Sequence, residues 1–140
     1  MSELAIAPIT DADVESVVAL WQRCGLTRPW NDPASDIAFA RRCENATILI
    51  GRVGGALVAT AMVGHDGHRG WVYYLAVAPG EQRNGHGAAM MRAAEDWLVQ
   101  RGIPKLNLMV RGDNAQARGF YQALGYQQDD VVVLARRLSG

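Results

Sequence analysis

The sequence has only two cysteines in 140 residues, Cys24 and Cys43, and no C-x-x-C pair, which removes a thiolate zinc site and a dithiol redox motif from consideration. Each stands at the end of an expected helix and reads as a small buried hydrophobe, so neither is assigned to catalysis and no metal is expected. An excess of one charge is lacking too. Lysine plus arginine number 14 and aspartate plus glutamate 14, so there is no broad basic field for nucleic acid or an anionic membrane surface. No apolar run approaches the ~20 residues of a membrane-spanning helix. The opening Met1-Ser2-Glu3-Leu4 carries none of the positive charge of a secretory leader. A cytoplasmic globular protein is the expectation. Composition agrees, at 49% apolar and 20% charged, and the length suits one domain over residues 1–140 with a single core.

One stretch stands out. Tyr73-Tyr74-Leu75-Ala76-Val77-Ala78-Pro79 is an apolar run, Gln82-Arg83-Asn84-Gly85-His86-Gly87 follows, and an amphipathic segment begins at Ala88. A strand that turns through glycines into a helix leaves the first helical N–H groups without acceptors at the positive end of the dipole, which makes an anion site. Gly85 and Gly87 allow positive φ or close approach of the backbone to a phosphate. Two familiar phosphate loops are excluded. The dinucleotide fingerprint needs a third glycine where Met90 stands, and the nucleotide P-loop needs Lys-Ser/Thr where Ala88-Ala89 stand. A bound pyrophosphate is the reading that remains, beside a plain strand-to-helix turn.

Along the chain, Leu4–Ile9 reads as a strand. Thr10 caps a helix with Asp13 in its first turn and Val14, Val17, Val18 and Trp21 toward the core, stopping at Gly25. Asp32-Pro33 opens a second helix carrying Ile37, Phe39, Ala40 and Cys43 and ending near Asn45. Ala46–Val53 and Ala56–Val63 form a hairpin through Gly54-Gly55, and a turn at Asp66–Gly70 leads into the strand Trp71–Val77. Helix Ala88–Arg101, with Met90, Met91, Ala94, Trp97 and Leu98 inward, ends at Gly102. Leu106–Val110 then lies parallel to Trp71–Val77 if the two are neighbours, because a helix crosses between them. Asp113 or Asn114 caps a helix through Leu124, and Tyr126–Leu138 reads as strand-rich. The expected class is α/β (α+β), with about four helices around a mixed, mostly antiparallel sheet.

The frame [Gln/Arg]-x-x-Gly-x-[Gly/Ala] at Gln82–Gly87 resembles the acyl-CoA pyrophosphate loop of the GNAT superfamily of N-acetyltransferases. Asn114-Ala115-Gln116-Ala117-Arg118-Gly119-Phe120-Tyr121-Gln122-Ala123-Leu124-Gly125-Tyr126 resembles a second segment of that superfamily, N-x-x-A-x-x-[FL]-Y-x-x-x-G-[FY]. The two occur in the family's order, one helix and one strand apart. The resemblance implies a single N-acetyltransferase domain whose fourth and fifth strands splay apart. Acetyl-CoA would lay its pantetheine arm along Leu75, Ala76 and Val77 like an added strand. Its pyrophosphate would rest on the loop Gln82, Arg83, Asn84, Gly85, His86, Gly87 and Ala88, and Asn114 and Tyr121 would also contact it. Arg83 either adds charge or is solvated, and Asn114 also serves as a helix cap.

Acetyl transfer to an amine needs a neutral nucleophile, oxyanion stabilisation and a proton for the leaving thiolate. A lysine-like amine with pKa about 10.4 is mostly protonated at neutral pH, so the site must help remove that proton. The resemblance gives Tyr121 the role of general acid, and a backbone N–H near Leu75–Val77 suits the oxyanion. The base departs from some relatives. Ribosomal-protein alanine acetyltransferases carry a glutamate where Met109 stands, leaving His65, Asp66, His68, Tyr73, Tyr74 or an ordered water. The segment Arg28-Pro29-Trp30-Asn31-Asp32, with Asp66–Gly70 and Tyr73-Tyr74, is similar to the group of small bacterial acetyltransferases called YpeA. That likeness implies an acceptor pocket bordered by Arg28, Trp30, Asn31, His68 and Tyr73. The expected acceptor is a primary amine of a small molecule or peptide, with no nucleic-acid or membrane partner. A homodimer through the terminal strands is a further expectation. The competing expectations are a CoA-binding regulatory or interaction module without turnover, and a nucleotide-phosphate binder.

Overall fold

The structure, a computed structural model, describes residues 3–139, so Met1 and Ser2 of the opening segment lie outside it. Runs of alternating small and branched apolar residues build its sheet: β1 (Ala5–Pro8), β2 (Ala46–Val53), β3 (Ala56–His65), β4 (Gly70–Val77) and β5 (Leu106–Leu108). They stand in sequence order, antiparallel except for the parallel pair β4–β5. Among the described residues four α-helices accompany them: α1 (Val14–Arg23), α2 (Pro33–Arg42), α3 (His86–Gln100) and α4 (Ala115–Ala123). The described residues fall into two compact units that divide after Met109.

In the first unit the period-2 alternation of β3 assigns the faces. Trp21 of α1 donates its indole N–H to the Thr60 hydroxyl at 2.9 Å, so even-numbered β3 residues up to Met62 face α1 and α2. A Cβ built on Gly51, the partner of Ala59, would meet the Met90 sulfur at 3.1 Å, so the odd-numbered face belongs to α3. Two apolar layers result. Val17, Leu20, Trp21 and Ile37 are buried on one side, and Met90, Met91, Ala94 and Leu98 on the other. α3 packs closely on Gly70, since a Cβ there would run into the Leu98 side chain.

Local signals set the helix starts. The Asp32 carboxylate accepts the Ala34 N–H at 3.1 Å with Pro33 in the first turn. Before α1 the chain makes a single 3-10 turn, Asp11–Asp13, with Thr10 as its cap in a capping box that Asp13 completes. The Asp13 carboxylate accepts from the Thr10 N–H and hydroxyl, both at 2.8 Å, and pairs with Arg52 at 2.6 Å. Those donors hold its carboxyl below the usual range, the Arg52 bond foremost.

Several expectations are corrected. Cys43 is exposed because α2 ends at Arg42 and Cys43 itself is extended, which takes it off the Ile37–Ala40 stripe. Phe39 is exposed because it lies two residues from Ile37, on a different face of the helix. Trp97 is half-buried, with the Arg101 guanidinium 3.7 Å over its ring. The α3 helix starts at His86, so Gly87 and Ala88 belong to its first turn, and β5 stops at Leu108. The stretch 126–138 contains no strand. Val131–Leu134 is exposed there, and β-propensity without a cross-strand neighbour does not make a ladder.

Candidate functional site

The site is built on β4. This strand pairs with β5 only at Gly70–Leu106, Trp71–Asn107 and Val72–Leu108, whereas it runs on to Val77. Among the described residues no strand pairs with that outer edge beyond Val72. One hydrogen bond fixes the phase of the edge: Ala78 N–H donates to the Val58 carbonyl at 2.8 Å, toward β3. Residues in an antiparallel ladder alternate between facing the partner and facing away. Leu75 and Val77 therefore turn their backbone groups to the open side. The Val77 carbonyl accepts there from the Cys24 thiol and the Gln82 side-chain amide, each at 3.4 Å.

A bulge opens the middle of the strand. Met62 pairs with Tyr73 and Thr60 with Ala76, so Tyr74 and Leu75 together face Ala61 alone. Tyr74 sits at φ 54, a left-handed conformation that costs a non-glycine residue about 1–3 kcal/mol and persists only when its surroundings enforce it. The enforcement is visible. The buried Thr60 hydroxyl donates to the Tyr74 carbonyl at 2.9 Å, the Tyr74 ring stacks on Trp21 at 3.7 Å, and its phenol donates to Asp36 at 2.6 Å. α1, α2 and β3 thus converge on one peptide of β4.

Beyond Val77 the chain reaches α3 through Gly80, Arg83 and Gly85, at φ 89, 72 and 79. Positive φ at Arg83 and Gly85 with Asn84 between them makes a nest, in which successive N–H groups converge on one point. A Cβ on Gly85 would touch nothing within 4 Å, so glycine serves the conformation there and not the space. No acidic residue lies in the first turn of α3, which leaves its N-terminal dipole available to an anion. Glu81 stands to one side, 3.5 Å from His86 Nε2 and 3.4 Å from Asn84 Nδ2.

The second unit presents Asn114 as the cap of α4, its side chain accepting the Ala117 N–H at 3.0 Å. Tyr121 lies edge-on to Phe120 and Tyr126, with ring centroids 5.0 and 5.9 Å away. Burial pushes its phenol above the ordinary value, so it stays protonated at neutral pH.

The other expected residues are placed as follows. Arg28 donates to the carbonyls of Gly25 at 2.8 Å and Thr27 at 3.0 Å, and its own carbonyl accepts the Asn31 N–H at 3.0 Å, so both residues secure the loop after α1. Trp30 is 59% exposed. His68 lies in the turn entering β4, where the Asp66 carboxylate collects the N–H groups of His68 and Arg69 and the Trp71 indole, which brings its pKa down to about 2. His65 Nδ1 accepts the Gly67 N–H at 3.0 Å in that turn. His65, Asp66 and His68 therefore stand at the end of β4 that β5 closes, away from the open edge. Tyr73 is raised by burial and then by the Asp66 charge, and Tyr74 is pushed beyond the ordinary phenol range by burial and then by Asp36. Both phenols remain donors. Met109 follows β5, half exposed. Thr60, Trp21 and Asp36, which hold the bulge, had no sequence signal beyond ordinary helix and strand periodicity.

A strand edge left open beside an anion nest at a helix N-terminus is a frame suited to transferring an acyl group from a phosphate-bearing carrier. Comparison with known proteins agrees. The model of the acetyltransferase (GNAT) family matches residues 14–126. An acetyltransferase of Yersinia enterocolitica is 42% identical over 135 residues, covering 96% of each chain. One of Sodalis glossinidius is 45% identical over 127 residues, 90% of this chain and 89% of that one. Among solved structures, AAC(6')-Iy in complex with a CoA-linked bisubstrate analogue superposes with a TM-score of 0.85 at 16% identity, over 99% of this chain and 100% of that one. The ribosomal-protein-S18-alanine N-acetyltransferase of Escherichia coli does so with 0.78 at 26% identity, over 91% and 79%. The chain belongs to the GNAT family of acetyltransferases.

Proposed function

We propose that this protein is an acetyl-CoA-dependent N-acetyltransferase that acetylates a primary amine of a small molecule or peptide by direct attack, residues 1–140 acting as one catalytic domain. The observation that carries the reading is the open β4 edge at Leu75 and Val77, followed at once by the nest of Arg83 and Gly85. Acetyl-CoA supplies the acetyl group as a thioester. Leu75 and Val77 hold the pantetheine arm through their outward backbone groups, and the N–H groups from Arg83 to Ala88 bind the pyrophosphate, with Gln82, Asn84 and His86 around it. Asn114 of α4 contacts the carrier arm while capping its helix. The Leu75 N–H, released from the ladder by the bulge, stabilises the oxyanion that develops as the amine nitrogen bonds to the carbonyl carbon. As the C–S bond breaks, its electron pair stays on sulfur and Tyr121 protonates the thiolate, to be reprotonated by solvent. The acceptor ammonium loses its proton to an ordered water, because Asp66 is too weak a base and Tyr73 and Tyr74 stay protonated.

Two solved relatives in fold support the choice by their own activities, one acetylating aminoglycosides and one a ribosomal protein. The reading places the enzyme in the cytoplasm and, through the exposed Val131–Leu134 run, in a homodimer. The Arg28–Asp32 loop extends the likeness to the YpeA group. Release of CoA thiol from acetyl-CoA with a mixed panel of amines and peptides is the test. A second reading, a CoA-binding module without turnover, is favoured by Met109, which offers no carboxylate after β5. It predicts tight CoA binding and no thiol release with any amine.

A further inference from the structure

Beside the bulge lies a cavity of about 300 Å³ between α2 and the sheet. Resting on the acetyltransferase reading above, we propose that this cavity selects the acceptor: a primary amine carried on a single aromatic or branched aliphatic body that fills the cavity, and not a polyamine or an amino sugar. Four observations lead there. The first is size. Ligand pockets run from about 300 to 1,000 Å³, so this one is at the small end and suits one ring and a short linker. The second is chemistry. Phe39 and Ala40 of α2, Cys43 just past its end, Ala46 of β2, Met62 of β3 and Tyr73 of β4 offer carbon, sulfur and ring faces, and Met62 is an adaptable wall.

The third is charge. Asp36 is the one carboxylate on the lining. One of its oxygens accepts the Tyr74 phenol at 2.6 Å, and almost all of the surface that faces the cavity is apolar. The neighbouring cations of α2 work against a second positive charge: the Arg42 guanidinium lies 5.5 Å over the Phe39 ring, and Arg41 is paired with Asp11 at 2.6 Å. A polycation would meet apolar walls and an arginine, and a sugar would leave its hydroxyls unpaired against the same walls. The fourth is position. Tyr73 and Tyr74 line the cavity and Leu75, the next residue, turns its backbone to the open edge, so the cavity adjoins the stretch of β4 on which the thioester is expected. The cavity also accounts for Phe39 and Tyr73, large rings left 69% and 45% exposed where helix and sheet periodicity give them no core to fill.

The built-in reporter is Cys43, an exposed thiol on the lining, with Cys24 as the reference, half-buried and donating to the Val77 carbonyl. The experiment measures alkylation of each cysteine by iodoacetamide in the full-length protein, by mass spectrometry, with 2-phenylethylamine, isoamylamine, spermidine or kanamycin present. The first two should slow Cys43 labelling at least five-fold and leave Cys24 unchanged, whereas spermidine and kanamycin should leave both unchanged. Protection by spermidine or kanamycin, or none by the apolar amines, overturns the proposal. Phe39→Ala, a change at an exposed ring that leaves the core intact, should abolish that protection and raise KM for 2-phenylethylamine at least five-fold, with KM for acetyl-CoA unchanged. No change in protection or in that KM overturns the proposal as well. Calorimetric titration of acetyl-CoA and thiol release, run alongside, separate the two claims. Protection without thiol release refutes the acetyltransferase reading and keeps the cavity, and thiol release with spermidine alone does the reverse.

Discussion

Tyr121 is half-buried against two aromatic rings and remains protonated at neutral pH, which suits a proton donor to a leaving thiolate. Tyr121→Phe keeps the packing and removes the proton, so kcat should fall about 10²-fold or more while acetyl-CoA binding, followed by calorimetry, stays within two-fold. Asp13 gives a prediction of the opposite kind, about stability. Its folded pKa is depressed, so its contribution is present above the unfolded value near 3.8 and is lost as pH falls through the lower folded pKa. Unfolding free energies of wild type and Asp13→Asn, from urea titrations, should therefore differ by a constant amount above about pH 5, roughly 1–3 kcal/mol for a partly buried pair, and converge as the pH falls below about 4. Asn114 was legible in the sequence as the cap of α4, because a polar residue opening a helical stretch that ends in glycine announces one. Asp36 and Phe39 were not, since nothing in a helix-forming stretch announces that one side chain will meet a tyrosine from a strand far along the chain.

At the scale of elements, the bulge and the nest carry the account. Gly85→Ala imposes a Cβ at φ 79 without a clash, so the cost is conformational, about 1–2 kcal/mol. KM for acetyl-CoA should rise several-fold with kcat nearly unchanged. Thr60→Val leaves the Trp21 indole without its acceptor and the Tyr74 carbonyl without its donor in a buried site, which costs about 2–4 kcal/mol for the two groups. The bulge should relax with it, and kcat should fall more than Tm alone explains. The hairpin β2–β3 was legible to the residue at most of its ends because alternation and a Gly-Gly turn agree there. The parallel β4–β5 pair was legible from the helix between them, and the splay only through the family resemblance. The bulge escaped because a β-branched and aromatic run looks the same with or without one extra residue. The strands expected in 126–138 failed for the converse reason, since valines specify a strand only where a neighbour exists to pair with.

For the whole molecule, the proposed loss of the amine proton to water sets the pH profile. With water taking the proton, kcat/KM should climb with unit slope toward the pKa of the acceptor amine and show no inflection between pH 6 and 7, where a histidine base would give one. Stability should be unevenly spread. The buried amides of Ile48–Ile50 and Ala59–Val63 should exchange hydrogen only through global unfolding, and those of 127–139, on an exposed segment, within seconds to minutes. The central claim is that one open strand edge and one glycine nest hold the acyl carrier. Titrating the ¹⁵N-labelled protein with acetyl-CoA tests it most directly, by mapping which amide resonances move. The account predicts the largest shifts at Leu75, Val77 and Arg83–Ala88, with ATP producing none of them. Shifts confined to other residues, or reproduced in full by ATP, would contradict it.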